Sequence, residues 1–475
     1  MSFTILSDDA VKSVLHALDK DDVLALQQTL ADSLHVYSND DDTNGCDSSY
    51  QLPRQSLRQK DGRTTLFMPA CSNDNVGIKV VTLSAGDSSS AAGHSRGSST
   101  PSSKDAPSLA QSLSQSLSSA SMSSSPSPSS PADAPPDIEY NIKGRASIQY
   151  GASNNKTAAT TPRGALTLFD STGLMRALIN AEEITAFRTA LASTMLFKKR
   201  QNVHDVTIFG AGKQAYWHAR LALILRGDDI HHLNIVNRSF DGAQRMIESL
   251  FRRDDGPVAR HPIHQPKLAI ITPHHPEYQR LLKQTLRQSA AIFCTVPSEE
   301  PLFPPAVLTS TEGRRRGRYI SAVGSYKPHM VELHPDILRQ AVAPDHGNHH
   351  HKHARQGGAV IVDSIEACMR EAGEVIQAGL SGREVVELGE LVMLKRDAEM
   401  RKRESEEQEG SGSGGKFLHH KRTKSQSYDD GLTDWLERGN VVYKSVGIGL
   451  MDIVVGAQLV DIADSRNIGV QIQDF

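Results

Sequence analysis

Apolar positions recur along this chain with two different periods, and the changes of period divide it. Between residues 8 and 37, Val11, Val14, Leu15, Leu18, Leu24, Leu26, Leu30 and Leu34 fall at near-helical spacing. Residues 64–68, 77–83 and 165–169 are short runs with the composition of strands. Asn180 has the character of an N-cap, and Glu183 three residues later completes the pattern of a capping box. The spacing of Ile184, Phe187, Leu191 and Met195 then predicts a helix. After Asn202 strand and helix alternate. Strands are predicted at 205–209, 233–236, 267–271, 290–296, 319–323 and 359–362, with helices at 214–225, 241–250 and 278–288. Strands joined by helices require right-handed crossovers, so the fold class is α/β with a doubly wound parallel sheet. A last helix is predicted over 450–465, packing back on the first part of the chain.

Three stretches break the pattern. Residues 84–137 are dominated by Ser and Pro and contain no Phe, Trp or Tyr. Such a composition cannot bury enough apolar surface to offset the entropy of ordering, which predicts a disordered insertion. Residues 395–431 hold a run of charges, a Gly/Ser stretch and a basic patch, and are read the same way. The third, residues 344–358, is His-rich. His346, His349, His350, His351 and His353 have metal-binding side chains, but no acid or Cys completes a defined site, so a solvated loop is expected. Arg422-Thr423-Lys424-Ser425 reads as a basic patch rather than a modification site.

These insertions explain a composition that is otherwise thin for a globular chain: 38% apolar and 23% charged over 475 residues. Without them roughly 350 residues remain, enough for two domains. Lys plus Arg total 52 and Asp plus Glu total 55, so the formal net charge is -3. That balance argues against a general nucleic-acid partner. The 4 Cys are scattered with no C-x-x-C, which excludes a disulfide framework. No signal-peptide pattern opens the sequence and no apolar run reaches membrane-spanning length, so a cytoplasmic protein with no membrane partner is expected.

The strongest local signal is Gly210-Ala211-Gly212-Lys213-Gln214-Ala215, between a predicted buried strand and a helix. Gly210 permits the tight turn, Gly212 lets backbone approach a pyrophosphate, and Ala215 takes the close-packing position. Free N–H groups of Lys213 and Gln214 at the helix start suit a diphosphate. Val296, ending a later strand, is a further candidate contact. The second strand ends in Asn237-Arg238-Ser239, without the acid that holds the ribose hydroxyls of NAD. Arg238 and Ser239 suit a 2'-phosphate instead, so NADP(H) is favoured and NAD(H) remains an alternative.

At the residue level the sequence resembles the ornithine cyclodeaminase / mu-crystallin family. The segments that carry the resemblance, in order, are Arg54, Leu66–Ala70, Gly77–Val81, Leu168–Gly173, Ile184–Ala190, the glycine-rich turn, Ala322–Ser325, Glu332-Leu333, Lys444–Gly447 and Asp452. The resemblance implies a homodimer. It implies a Rossmann domain (191–365) and a second, α+β domain that binds substrate and dimerises. This second domain would be built from 1–83 and 138–190, with a helical return at 366–394 and a C-terminal return at 432–475. It also implies nicotinamide-linked chemistry at an amine or imine carbon beside a carboxylate. Family activities include cyclodeamination of ornithine to proline, ketimine reduction and amino-acid dehydrogenation; lens crystallins in the family add a non-catalytic, ligand-binding alternative.

The residues agree with that chemistry. A small amino or imino acid needs a cationic clamp, and arginine offers a bidentate one. Arg188 sits on a largely apolar helix face and Arg54 follows Pro53 in a loop; both match substrate-contacting arginines of the family. Lys79, between Ile78 and Val80, matches its active-site lysine, and an apolar setting there would lower its pKa and suit it to proton transfer. Thr161, beside Pro162, is a further candidate for substrate contact. One position departs from the pattern. Tyr326 stands where ornithine cyclodeaminases carry an Asp for the distal amine, and a neutral phenol cannot balance an ammonium. Imine reduction or amino-acid dehydrogenation is therefore favoured over cyclodeamination.

Overall fold

The computed structural model describes residues 2–39, 47–83, 163–252, 260–343, 358–392 and 424–473. Thr161, the Ser/Pro-rich stretch and the His-rich stretch lie outside the described residues. Among those described, the strands form a seven-stranded and an eight-stranded sheet.

The first sheet contains β1 (Ser2–Leu6), β2 (Gln55–Arg58), β3 (Thr64–Cys71), β4 (Asn75–Leu83), β5 (Arg163–Asp170), β6 (Met175–Asn180) and the C-terminal strand Val470–Gln473. Its order is C-terminal strand, β1, β6, β5, β4, β3, β2, antiparallel except where β1 meets β6. Helices α1 (Asp8–His16), α3 (Ala181–Phe197) and the C-terminal helix Gly449–Ser465 cover one face, and α2 (Lys20–Tyr37) packs against the last two. Successive strand residues point to opposite faces. In β4 this turns Gly77, Lys79 and Val81 inward while Val76 faces out. Lys79 lies in register with Met68 on β3 and Leu166 on β5. At Gly77 the C-terminal helix comes so close that a Cβ would stand 2.6 Å from Ile453 Cδ1.

The second sheet is wholly parallel. It contains β7 (Asp205–Phe209), β8 (His232–Val236), β9 (Lys267–Ile271), β10 (Ala291–Cys294), β11 (Tyr319–Ala322), β12 (Val360–Val362), β13 (Val385–Glu387) and β14 (Val441–Lys444), in the order β13-β12-β14-β11-β10-β7-β8-β9. The order reverses direction between β7 and β10, the switch point at which doubly wound sheets leave a crevice. This is the Rossmann-type arrangement expected from the alternation of strands and helices. α3 is buried nearly throughout and joins the sheets: Ser193 lies 2.7 Å from Ser321 of β11, and Gln27 of α2 donates to the carbonyl of Leu191.

Some expectations are corrected. Asn180 caps α3 by accepting from Glu182 N, and Glu183 forms no capping box. Its carboxylate instead accepts from Trp217 Nε1 at 3.1 Å. The helix Lys424–Arg438 begins inside the stretch read as a disordered insertion. β14, placed by the sequence with the return to the first domain, pairs with β11 and β12 in the parallel sheet. Only the helix and strand that follow it return to the first sheet. Among the described residues, no helix is long and apolar enough to cross a membrane.

Candidate functional site

The glycine-rich turn joins β7 to α4 (Lys213–Arg226) at the switch point. Gly210 has φ +107, and a Cβ there would stand 2.8 Å from Thr295 Oγ1 and 3.2 Å from Val296 Cγ2. The loops after β7 and β10 therefore touch, as the rim of a crevice requires. Gly212 is the N-cap of α4; no side chain caps it, no acid lies in the first turn, and nothing stands within 4 Å of where its Cβ would be. Open space over an uncapped helix start fits a diphosphate. Lys213 contributes backbone only: its ammonium turns back to Glu183 at 2.7 Å and Glu182 at 3.3 Å. Gln214 Oε1 is buried without a hydrogen-bond partner among the described residues. At the end of β8, Asn237 Nδ2 donates to Ser239 O, Ser239 Oγ accepts from Gly242 N, and Arg238 is exposed. No carboxylate occupies this segment, and Arg238 and Ser239 are the residues there that could hold a phosphate of a dinucleotide. Val296 N donates to Glu332 Oε1 at 2.8 Å.

Lys79 and Arg188 come together through a residue 373 positions beyond the lysine. Asp452, on the first turn of the C-terminal helix, accepts on one oxygen, Oδ1, from both Lys79 Nζ (2.9 Å) and Arg188 Nε (3.2 Å). Its Oδ2 has no hydrogen-bond partner among the described residues. The side chains of Lys79 and Asp452 are 2% and 0% exposed. Two cations thus share one carboxylate with almost no access to water. Burial drives the Lys79 ammonium down to about 8, with Asp452 opposing and Arg188 and Arg54 adding to the fall. The Arg188 guanidinium also faces Gly447, at φ +83, where a Cβ would stand 2.7 Å from Nη2. Asp363, after β12, holds that loop by accepting from Gly447 N and Ser445 Oγ, each at 2.7 Å.

Arg54 is not part of the Asp452 pair. Its guanidinium grips the Glu371 carboxylate with both Nε and Nη2. It lines a cavity of about 80 Å³ together with Gln51, Met68, Gly447 and Leu450, and Gly447 is the residue that the Arg188 guanidinium faces. Tyr326 is half-buried, and burial raises its hydroxyl pKa while Arg54 pulls it back. The phenol is therefore neutral at pH 7 and brings no negative charge.

Sequence reasoning gave no charge-pairing role to Asp452 and did not single out Glu371 or Asp363 as site residues. An acid within the apolar run Leu450–Val455 was the available signal for Asp452, since a buried carboxylate demands a cation.

A profile of the ornithine cyclodeaminase/mu-crystallin family matches residues 139–259. An uncharacterized protein of Saccharomyces cerevisiae is 29% identical over 251 residues, 47% of this chain and 61% of its own length. A Delta(1)-pyrroline-2-carboxylate reductase of Bacillus cereus is 24% identical over 67% of this chain and 77% of its own. The solved Delta(1)-pyrroline-2-carboxylate reductase of Thermococcus litoralis, in complex with NADH and L-proline, superimposes with a TM-score of 0.57 at 15% identity. That likeness covers 99% of this chain and 100% of the other, and it shows the shared fold. With the glycine-rich turn, the strand lysine and the helix arginine in place, the chain is similar to the ornithine cyclodeaminase/mu-crystallin family, whose profile it matches over residues 139–259.

Proposed function

We propose that the protein is an NADP(H)-dependent oxidoreductase acting at the amine or imine carbon of a small amino or imino acid. The observation that carries this reading is the shared Asp452 oxygen. Lys79 and Arg188 together bear two positive charges against one negative, buried. An uncompensated buried charge costs several kcal/mol, so the cluster favours an anionic ligand. A carboxylate supplies that charge, and Arg188 offers it a planar fork beside Gly447. Arg54 lines the cavity that Gly447 borders and would need to exchange Glu371 for the substrate to join the clamp.

Lys79 is the proton donor in this reading. With its ammonium lowered to about 8, it is mostly charged at neutral pH yet gives up a proton readily. Protonation at the imine nitrogen makes the adjoining carbon electron-poor. A nicotinamide cofactor, when bound, supplies the hydride for that carbon or takes it up in the reverse direction. The relatives named above as reductases of a cyclic imino acid favour this chemistry. Tyr326 supports it over ornithine cyclodeamination, because the site lacks a negative charge at that position for a distal ammonium. A homodimer in the cytoplasm completes the reading. The face of the first sheet away from the helices exposes Leu57, Leu178, Val470 and Ile472, which suits a second copy.

The test is a panel of cyclic ketimine carboxylates, and of keto acids with amines, scored by NADPH oxidation beside proline formation from ornithine. Ketimine-dependent oxidation without proline formation is expected. Robust proline production would restore cyclodeamination; silence in both assays with NADPH binding intact would favour a non-catalytic binder.

A further inference from the structure

Behind the rim of the nucleotide crevice lies a buried group of charges that the proposed chemistry does not use. Glu332 is 0% exposed, and its carboxylate binds the backbone of two strand-end loops at once. Oε1 accepts from Val296 N, after β10, at 2.8 Å. Oε2 accepts from Gly324 N at 2.7 Å and Ser325 N at 3.3 Å, after β11. The fit is tight: a Cβ on Gly324 would stand 2.4 Å from Val296 O and 2.6 Å from Glu332 Oε1. Lys444, ending β14, donates to Ser325 O and Oγ at 2.5 Å and pairs with Glu374 Oε1 at 3.1 Å; both side chains are 0% exposed. Ser325 Oγ in turn donates to Glu374. Three neighbouring parallel strands, β10, β11 and β14, are thereby tied at their carboxyl ends, where a doubly wound sheet receives its ligand.

We infer that Glu332 is a positioning residue for the nicotinamide end of the cofactor, fixing the Val296 and Gly324 rim and, with Lys444 and Glu374, setting the charge beneath it. The inference rests on the dinucleotide reading above. The groups that face Glu332 are Lys444, Glu374 and the Cys294 thiol. Burial, reinforced by Glu374 and opposed by Lys444, raises Glu332 to about 7. Burial also opposes the charge on Lys444, but the two carboxylates outweigh it and keep the ammonium. Below pH 7 a protonated Glu332 leaves Lys444 and Glu374 balanced. Above it, ionised Glu332 gives the group a net negative charge. An oxidised nicotinamide ring is cationic and a reduced one is neutral, so ionisation strengthens binding of NADP+ relative to NADPH.

The experiment measures dissociation constants of NADP+ and NADPH by titration calorimetry from pH 6 to 8.5, for the full chain and for Glu332→Gln. In the unaltered protein the preference for NADP+ is expected to rise severalfold across pH 7. In Glu332→Gln that dependence is expected to vanish, and NADPH binding to weaken roughly tenfold, since an amide oxygen cannot serve both loops. Where Glu332→Gln fails to fold, Glu374→Gln keeps the three backbone contacts and removes a charge that raises Glu332, so the transition moves to lower pH. A flat preference in the unaltered protein overturns the inference, as does an unmoved transition in either variant. Failure to bind either cofactor at any pH overturns the dinucleotide reading as well.

Discussion

Gly447 and Arg188 occupy space that no larger pair could share: a Cβ on Gly447 would stand 2.7 Å from one guanidinium nitrogen and 2.9 Å from the other. The glycine also holds φ +83, a region that costs other residues about 1–2 kcal/mol. Gly447→Ala is therefore expected to lower stability by about that amount and to push Arg188 off its clamp. Steady-state kinetics should show KM for the amino or imino acid rising about tenfold or more while NADPH affinity holds. An unchanged KM would remove Arg188 from the substrate site.

Lys79→Ala tests the proton donor. Turnover is expected to fall about 10²–10⁴-fold with NADPH binding intact. In the unaltered protein the reductive rate should decline as pH rises through about 8, because the ammonium that donates is lost there. A reductive rate flat from pH 7 to 9.5 would assign the proton to another group.

Asp452→Asn removes the anion that Lys79 and Arg188 share. Two buried cations then face each other, and melting or urea titration should show a loss of about 3–5 kcal/mol. Asp452 raises the Lys79 pKa, so the alkaline decline in reductive rate is expected to move below pH 8. A decline that stays in place would mean that another group governs it.

Arg238→Ala tests cofactor choice. The exposed guanidinium beside Ser239 is expected to contact a 2'-phosphate, so NADPH affinity should fall about tenfold to hundredfold and NADH affinity stay the same. Equal losses for both cofactors would return Arg238 to solvent.

The parallel sheet was legible because its strands are short apolar runs between amphipathic helices; 205–209 and 267–271 match the observed strands residue for residue. β2 is exposed along its length, and so is the C-terminal strand. β2 (Gln55–Arg58) lacks the alternation by which a half-buried strand is recognised, and the C-terminal strand alternates over only four residues, too short a run to stand out. The segment of β14 was grouped with the C-terminal return and not read as a strand, because its pairing with β11 reaches back more than a hundred residues and is not a local signal. The same distinction governs the site. Lys79 and Arg188 were visible as cations in apolar settings, but partners as distant in sequence as Asp452 and Glu371 appear only once the chain is folded. Glu183 shows the reverse error: a plausible local cap lost to a tertiary bond with Trp217.

The long interval between Lys79 and Asp452 also has a consequence for how the protein is made. Synthesis runs from the N-terminus, and early segments begin to fold while later ones are still awaited. β4 and α3 leave the ribosome with two cations aimed at one spot and nothing to balance them. The carboxylate that joins them arrives only with the C-terminal helix, after every strand of the parallel sheet has been made. A nascent chain of this protein therefore holds every strand of the parallel sheet before the Lys79–Asp452 pair can form, and a product cut short before Gly449 would lack that pair.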